Sequence, residues 1–248
     1  PTDNELDLQM LNEFATAALE ELEALEKQIV AYEKGYDQHR LNDINHTNLK
    51  VIATHCGLDV GPDGKTHHCI KYLGLMRALP HCRTIVPADP NQTDRAVRYA
   101  ASNPGNFFIA MGRSKLPVIT AQGQDPFFGN SYDFEFGRID RLRQGSDIAV
   151  LALGPMTARA LDLADILSTG GISAEILSVS CPNDLPEELP GDLKDYRCLV
   201  TYEDHDTRTG LGASLALMLA GVGGMPPLVM FGVDHYGMSG DAEDLYTR

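Results

Sequence analysis

Between residues 3 and 30, apolar side chains return every three or four positions: Leu11, Ala15, Ala18, Leu22, Leu25 and Ile29, with glutamates between them. That spacing lays one apolar stripe along a helix, and Thr2 or Asp3 can cap its start. The same stripe also suits a short coiled-coil segment. From residue 49 the pattern changes. Short β-branched runs alternate with helical stretches: LKVIATH then CIKYLGLMRALP, RTIVPAD then QTDRAVRYAAS, then FFIAMG. A polar stretch rich in Gly, Pro and Asp covers roughly 120–135. The alternation then restarts with DIAVLALG, PMTARALDLADILSTGG, AEILSVS, RCLVTYE, LGASLALMLAG and PLVMFGV. Continuous apolar strands set between amphipathic helices are covered on both faces, which is the pattern of parallel sheets. The expected fold class is therefore α/β, with two consecutive open, mostly parallel sheets flanked by helices. The first unit would span 1–120 and the second 138–248, joined by a linker over 121–137.

Charge narrows the partners. Among 248 residues, 35 acidic side chains against 20 basic ones leave a net charge of −15. A surface this acidic repels phosphate backbones and anionic lipid, so neither nucleic acid nor a membrane is expected as a partner. The sequence holds no run of about 18 apolar residues that would cross a bilayer. Its N-terminus, PTDNELDLQ, is too polar for a secretory signal. The five cysteines (Cys56, Cys69, Cys82, Cys181 and Cys198) are odd in number and form no C-x-x-C. That argues against a disulfide framework or a structural zinc site and points to a reducing cytoplasm.

In open α/β sheets functional groups gather at the carboxyl ends of the strands. Those ends read Thr54-His55, Pro87-Ala88-Asp89 and Gly112-Arg113, then Gly154-Pro155, Cys181-Pro182 and Glu203-Asp204-His205. The densest polar stretch is THCGLDVGPDGKTHH, residues 54–68, placed between a strand and a helix. Its glycines allow sharp turns and close approach to a ligand. His55, Asp63, His67 and His68 can then converge on one small polar molecule. Imidazoles move protons and bind anions near neutral pH, and a carboxylate accepts hydrogen bonds from hydroxyls. The plainer reading is a surface loop whose histidines cap nearby backbone. A zinc site built from His55, His67, His68 and Cys69 is a third reading, although the spacing matches no familiar pattern. Arg113 suits either a bidentate grip on phosphate or carboxylate, or a structural salt bridge. Gly154-Pro155 before a helix is a weak anion signal, because the proline removes a donor. Glu203-Asp204-His205 resembles an acid–base cluster, yet GLGASLALMLAG behind it reads as close helix packing and favours a structural role.

These residues also resemble a known family. THCGLDVGPDGKTHHCIKYLGLMRALPHCRTIVPAD is similar to the transketolases, which carry T-H-x-x-x-x-x-G-x-D-G-x-T-H, a helix and P-A-D. FFIAMGRSKLPVI resembles the next family strand with its arginine. SDIAVLALGPMTARALDLADIL, TYEDHDTRTGLGASLA and FGVDHYGMSGDAEDL resemble the C-terminal domain, including its E-x-H and G-x-S-G signatures. The resemblance covers 36–248 and implies a pyrimidine-binding domain followed by a transketolase C-terminal domain. It implies an enzyme that uses thiamine diphosphate and Mg to move a two-carbon ketol unit between sugar phosphates. By position, His55 and Arg113 would hold the sugar phosphate and Asp63 would read a hydroxyl. His67 would stabilise the carbonyl or the cofactor adduct, which makes His67 and His55 the catalytic pair. Family members often carry Glu where Pro62 stands.

The chain resembles the second half of split transketolases, so the resemblance implies a partner: an N-terminal subunit that holds the diphosphate and Mg. Self-association would then give a heterotetramer. GYDQHRLNDI and GPDGKTHH also lean toward deoxyxylulose phosphate synthases, and an oxoacid dehydrogenase β-type subunit is a further alternative. The match breaks near Ala31–Gly35. Several dozen family residues are absent there, including the glutamate that activates the cofactor and the aromatic residues that pack on its ring. Either residues are omitted from the sequence or the deletion is genuine, which would leave a non-catalytic assembly subunit. The family pattern kept on both flanks favours omission.

Overall fold

The computed structural model describes residues 37–58, 60–120 and 125–246. The apolar stripe of 3–30 and the junction at 31–35 lie outside the described residues. The chain divides into two units, Pro1–Asn45 and His46–Arg248. In the first, residues 37–44 form a helix, α1. There the Asn42 and Asn45 amides donate back to the carbonyls of Gln38 and Leu41, at 2.7 and 2.8 Å.

The second unit carries both sheets. The first sheet comprises β1 (Lys50–Ala53), β2 (Cys82–Ile85) and β3 (Asn106–Ala110) in the order β1-β3-β2, all parallel. Every residue of the NFFIA strand is buried, as a central parallel strand covered on both faces must be. The short helix α2 (Tyr72–Arg77) leads toward β2, and α3 (Pro90–Ser102) links β2 to β3. Ala96 and Ala100 of α3 pack with Ile85, Phe107 and Ile109. Small side chains on that face let the helix lie close to the sheet. The buried Asp89 starts α3: its carboxylate accepts the N–H of Gln92 at 2.7 Å and that of Ile119 at 3.0 Å.

The second sheet comprises β4 (Ile139–Arg143), β5 (Ile148–Leu153), β6 (Ala174–Val179), β7 (Cys198–Asp206) and β8 (Leu228–Val233). Its order is β4-β6-β5-β7-β8, with only β4 antiparallel to its neighbour. Four helices accompany it: α4 (Met156–Thr169), α5 (Leu189–Leu193), α6 (Leu211–Leu219) and α7 (Ala242–Tyr246). The α/β reading with two mostly parallel sheets holds. The sequence pattern missed β4, because IDRLR is a charged edge strand rather than an apolar run. Its Arg141 pairs with the buried Glu175 at 2.7 Å.

The carboxyl ends of β2, β5 and β6 meet. The N–H of Val86 donates to the Ser180 carbonyl at 2.7 Å. Gly154 (φ +39°) passes so close that a Cβ there would fall 2.6 Å from Val86 Cγ1. Only glycine fits that approach. Gly154-Pro155 therefore packs one sheet on the other rather than presenting a free anion site.

Asp89→Ala removes a helix cap and orphans two N–H groups, one of them across a loop. It is expected to lower stability by about 2–4 kcal/mol, measured as a lower urea midpoint at unchanged slope. A loss below about 0.5 kcal/mol would show that the cap is dispensable.

Candidate functional site

Adjacent parallel strands deliver their next residues to the same edge. The ladder continues one step past β1 and β3: Met111 N–H donates to the Ala53 carbonyl at 2.9 Å and Cys56 N–H to the Met111 carbonyl at 3.0 Å. Thr54-His55 and Gly112-Arg113 therefore emerge side by side. The chain then turns through His55 (φ 62°) into the 54–71 loop. Gly57 N–H donates to the Cys69 carbonyl at 3.0 Å and pins the two ends of the loop together. At φ +79°, Gly57 also has no room for a side chain, because a Cβ would land 2.0 Å from Asp204 Oδ2. A short 3-10 turn, Gly61–Asp63, sits within the loop.

Asp63 and Arg113 come together. A guanidinium nitrogen of Arg113 lies 2.8 Å from Asp63 Oδ2 and donates to the Val60 carbonyl at 2.9 Å. The two side chains are 37% and 40% exposed, so solvent screens the pair. His55 and His67 remain on the exposed face, where the Nδ1 of each meets the preceding threonine hydroxyl, Thr54 at 2.9 Å and Thr66 at 3.0 Å. These four residues line neither of two cavities of about 520 Å³, one of which borders the loop at Leu58 and is otherwise lined by residues of 232–245. The site is an open edge.

His68 does not join the cluster. It is buried and its Nδ1 accepts the N–H of Gly237 at 3.1 Å, while burial holds its imidazole below the usual range. Among the described residues, no group of three or more His, Cys, Asp or Glu is arranged to hold a metal ion, so the zinc reading of this loop loses its His68 ligand. Burial also pushes the Cys56 thiol up to about 12, which leaves it protonated near neutral pH and unsuited to nucleophilic work.

The Glu203-Asp204-His205 cluster is structural, as its surroundings suggested. Both Glu203 carboxylate oxygens accept N–H groups at the start of α6, from Leu211 at 2.7 Å and Gly212 at 2.8 Å. Burial pushes that carboxyl up to about 8, against the opposing pull of those N–H groups. His205 Nε2 accepts the Leu73 N–H at 3.2 Å, in the first turn of α2. Its Nδ1 therefore carries the proton and faces the Asp206 carbonyl at 3.4 Å. Burial holds this imidazole down at about 4.

Sequence reading missed Arg77, which closes the same seam. It donates to the carbonyls of Thr209 and Gly210 at 2.9 and 2.8 Å, to the Ser214 hydroxyl at 2.7 Å and to the Asn183 side chain at 3.2 Å. No local signal reveals it, since its partners lie more than a hundred residues away.

Comparison with known proteins extends the picture. Residues 16–118 match the family profile described as transketolase, pyrimidine binding domain, and residues 137–248 match transketolase, C-terminal domain. A putative transketolase C-terminal section from Methanocaldococcus jannaschii is 33% identical over 199 residues, covering 80% of this chain and 60% of the relative. One of the subunits of the apulose-4-phosphate transketolase of Actinobacillus succinogenes is 30% identical over 206 residues, covering 81% and 63%. A solved split-gene transketolase, described as an inactive β4 tetramer, matches with a TM-score of 0.69 at 33% identity, covering 80% and 61%. The chain thus spans about three fifths of the length of these proteins.

The His205 contact sets a pH dependence. The folded imidazole must be neutral, so its contribution is complete above the unfolded value near 6.5 and fades as pH falls toward about 4. His205→Gln, whose amide oxygen can still accept the Leu73 N–H, is expected to remove that loss. Between about pH 6.5 and 5 the wild type should lose up to about 1.4 kcal/mol per pH unit relative to the variant. Urea titrations across that range check it, and parallel curves would refute it.

Proposed function

The chain belongs to the transketolase family, and on that premise we propose that it is the pyrimidine-binding and C-terminal subunit of a two-chain transketolase. In this reading it joins a diphosphate-binding subunit to transfer a two-carbon ketol unit between sugar phosphates. Its domains would divide at a linker near 121–137. The observation that carries the proposal is the Asp63–Arg113 pair at the shared edge of β1 and β3, with Asp63 in a loop whose His55 and His67 are exposed.

Chemistry suits those groups to the role. A sugar phosphate offers an anion and a row of hydroxyls. Arg113 and His55 would take the phosphate, Asp63 would accept from hydroxyls, and His67 would hold or move a proton at the reacting carbonyl. An ion pair this exposed is worth about 0–1 kcal/mol. A phosphate making charge-assisted bonds to Arg113 would displace Asp63 at little cost and leave its carboxylate for the sugar. The exposure of His55, Asp63 and His67 at this edge supports a site completed by another chain. The apulose-4-phosphate transketolase relative supports a ketose phosphate as the substrate class, and the β4 neighbour supports self-association.

A pyrimidine-binding domain implies thiamine diphosphate. The described residues do not fit a complete cofactor site. The activating glutamate and ring-packing aromatics that the resemblance places near Ala31–Gly35 are not found in the sequence. The first sheet has three strands among the described residues, and no metal cluster is present among them. Metal and diphosphate would fall to the partner subunit, and no step through the cofactor follows from this chain. The same observations favour a second reading, a non-catalytic assembly subunit, should the glutamate be absent from the protein.

With the partner subunit, thiamine diphosphate and Mg, ketol transfer is expected, and Arg113→Ala should raise the KM for the phosphorylated substrate about 10–100-fold, the loss of one charge-assisted contact. Arg113→Lys should fall between, because a lysine cannot form the fork. Intact mass is read alongside. A mass at 27.0 kDa with no transfer would overturn the enzyme reading and leave the assembly role.

A further inference from the structure

Past β8, residues 234–241 return over the 54–71 loop. Gly237 N–H donates to His68 Nδ1 at 3.1 Å, the Ser239 hydroxyl donates to the Pro62 carbonyl, and Gly240 N–H donates to the Gly61 carbonyl at 3.4 Å. The last two contacts fall immediately before Asp63. The packing is close as well. A Cβ on Gly64 would lie 3.3 Å from Ser239 Cβ, and one on Gly237 would lie 2.9 Å from His68 Cε1. Ser239 is exposed and its contact is open to solvent, whereas His68 is only 5% exposed and reaches into the C-terminal segment from the far end of the polar stretch.

We infer that His68 is a positioning residue: its imidazole accepts the Gly237 N–H and so fixes the loop that carries Asp63 and His67 against the C-terminal segment. The adjacent histidines divide the work, His67 outward on the exposed face and His68 inward. Acceptance at Nδ1 requires the neutral ring with its proton on Nε2, and that Nε2 has no partner among the described residues. A buried donor left unpaired is a cost. The ring is therefore kept here for its acceptor, a buried side-chain tie between segments 169 residues apart. A glutamine could present an amide oxygen to the same N–H, whereas a leucine would fill the space and orphan it.

The test uses the full chain. Hydrogen exchange read by mass spectrometry compares wild type with His68→Gln, His68→Leu and Ser239→Ala. Losing the acceptor should speed exchange of peptides covering 57–68 and 234–241 about fivefold or more in His68→Leu, with β5 peptides unchanged. His68→Gln should stay within about twofold of wild type, and Ser239→Ala should speed 57–68 by a smaller factor. Exchange at wild-type rates in His68→Leu, an equal rise throughout the chain, or failure of His68→Gln to rescue would overturn the inference. Nitrogen-15 spectra of the wild-type histidine rings provide a readout that no unstable variant can spoil. The Nε2–H tautomer is expected for His68 at neutral pH, and the Nδ1–H tautomer would overturn the assignment.

A catalytic readout rests on the proposed function. In the assembled enzyme, His68→Leu should raise the sugar phosphate KM about tenfold with kcat within about threefold of wild type, and His68→Gln should restore it. An unchanged KM in His68→Leu would count against positioning. A wild-type complex without ketol transfer would sink the proposed function alone, since exchange and tautomer are read on the chain itself.

Discussion

Four successive ionisable side chains at the end of β7 are taken out of water: Glu203, Asp204, His205 and Asp206 are all at or below 4% exposed. Left unpaired, each such group would cost several kcal/mol. Glu203 is met by the first N–H groups of α6, His205 by the Leu73 N–H, and Asp206 by Arg208 at 2.7 Å. Asp206 also donates its own backbone N–H to the Ile70 carbonyl at 2.9 Å. These partners come from both sheets' surroundings, so the set is complete only when the two α/β layers have docked in one way. Glu203 and Asp206 find their side-chain partners within the C-terminal segment, whereas the His205 ring and the Asp206 N–H depend on Leu73 and Ile70. A shifted docking leaves those two buried contacts unmade, so the seam sets orientation as well as stability.

The 54–71 loop inherits its geometry from that seam. Its far end, Ile70 to Leu73, is held by Asp206 and His205, and its near end turns at Gly57 against the Asp204 carboxylate. Arg77, one turn further on, locks α2 to the α6 start through three acceptors and to Asn183 through a fourth. A loop with three positive-φ glycines has ample conformational freedom. Here that freedom is spent on close approach to fixed groups, so a polar loop of this length can hold Asp63 in one place.

Local pattern made the sheets legible. NFFIA, IAVLAL and AEILSV are apolar nearly throughout because parallel strands are covered on both faces, and the α3 stripe of Ala96 and Ala100 marks its packed side. The edge strand β4 was illegible for the opposite reason, since an exposed edge selects charge over apolar continuity. Site residues were legible as types but not as partners. Nothing local says that Asp63 meets Arg113 some fifty residues later, or that of two neighbouring histidines one turns inward to Gly237. The tripeptide Glu203-Asp204-His205 misleads in the same way: composition suggests acid–base chemistry, whereas its burial and backbone partners make it a double helix cap.

The two classes of polar contact differ in what they permit. The Glu203 and His205 contacts are dry and bonded to backbone, so breaking one leaves a buried group unsatisfied and the penalty is large. The Asp63–Arg113 pair is wet, uses one guanidinium nitrogen for both of its bonds, and opens for about 1 kcal/mol or less. A chain with a net charge of −15 repels anions at long range, so an anionic ligand needs a local cation that is already placed yet not committed. Pairing Arg113 with a screened carboxylate meets both conditions. The guanidinium is held at the strand end by the Val60 carbonyl, while its ionic partner can yield to a phosphate. Rigid where it is buried and labile where it is exposed, the loop keeps its groups ready without closing them off.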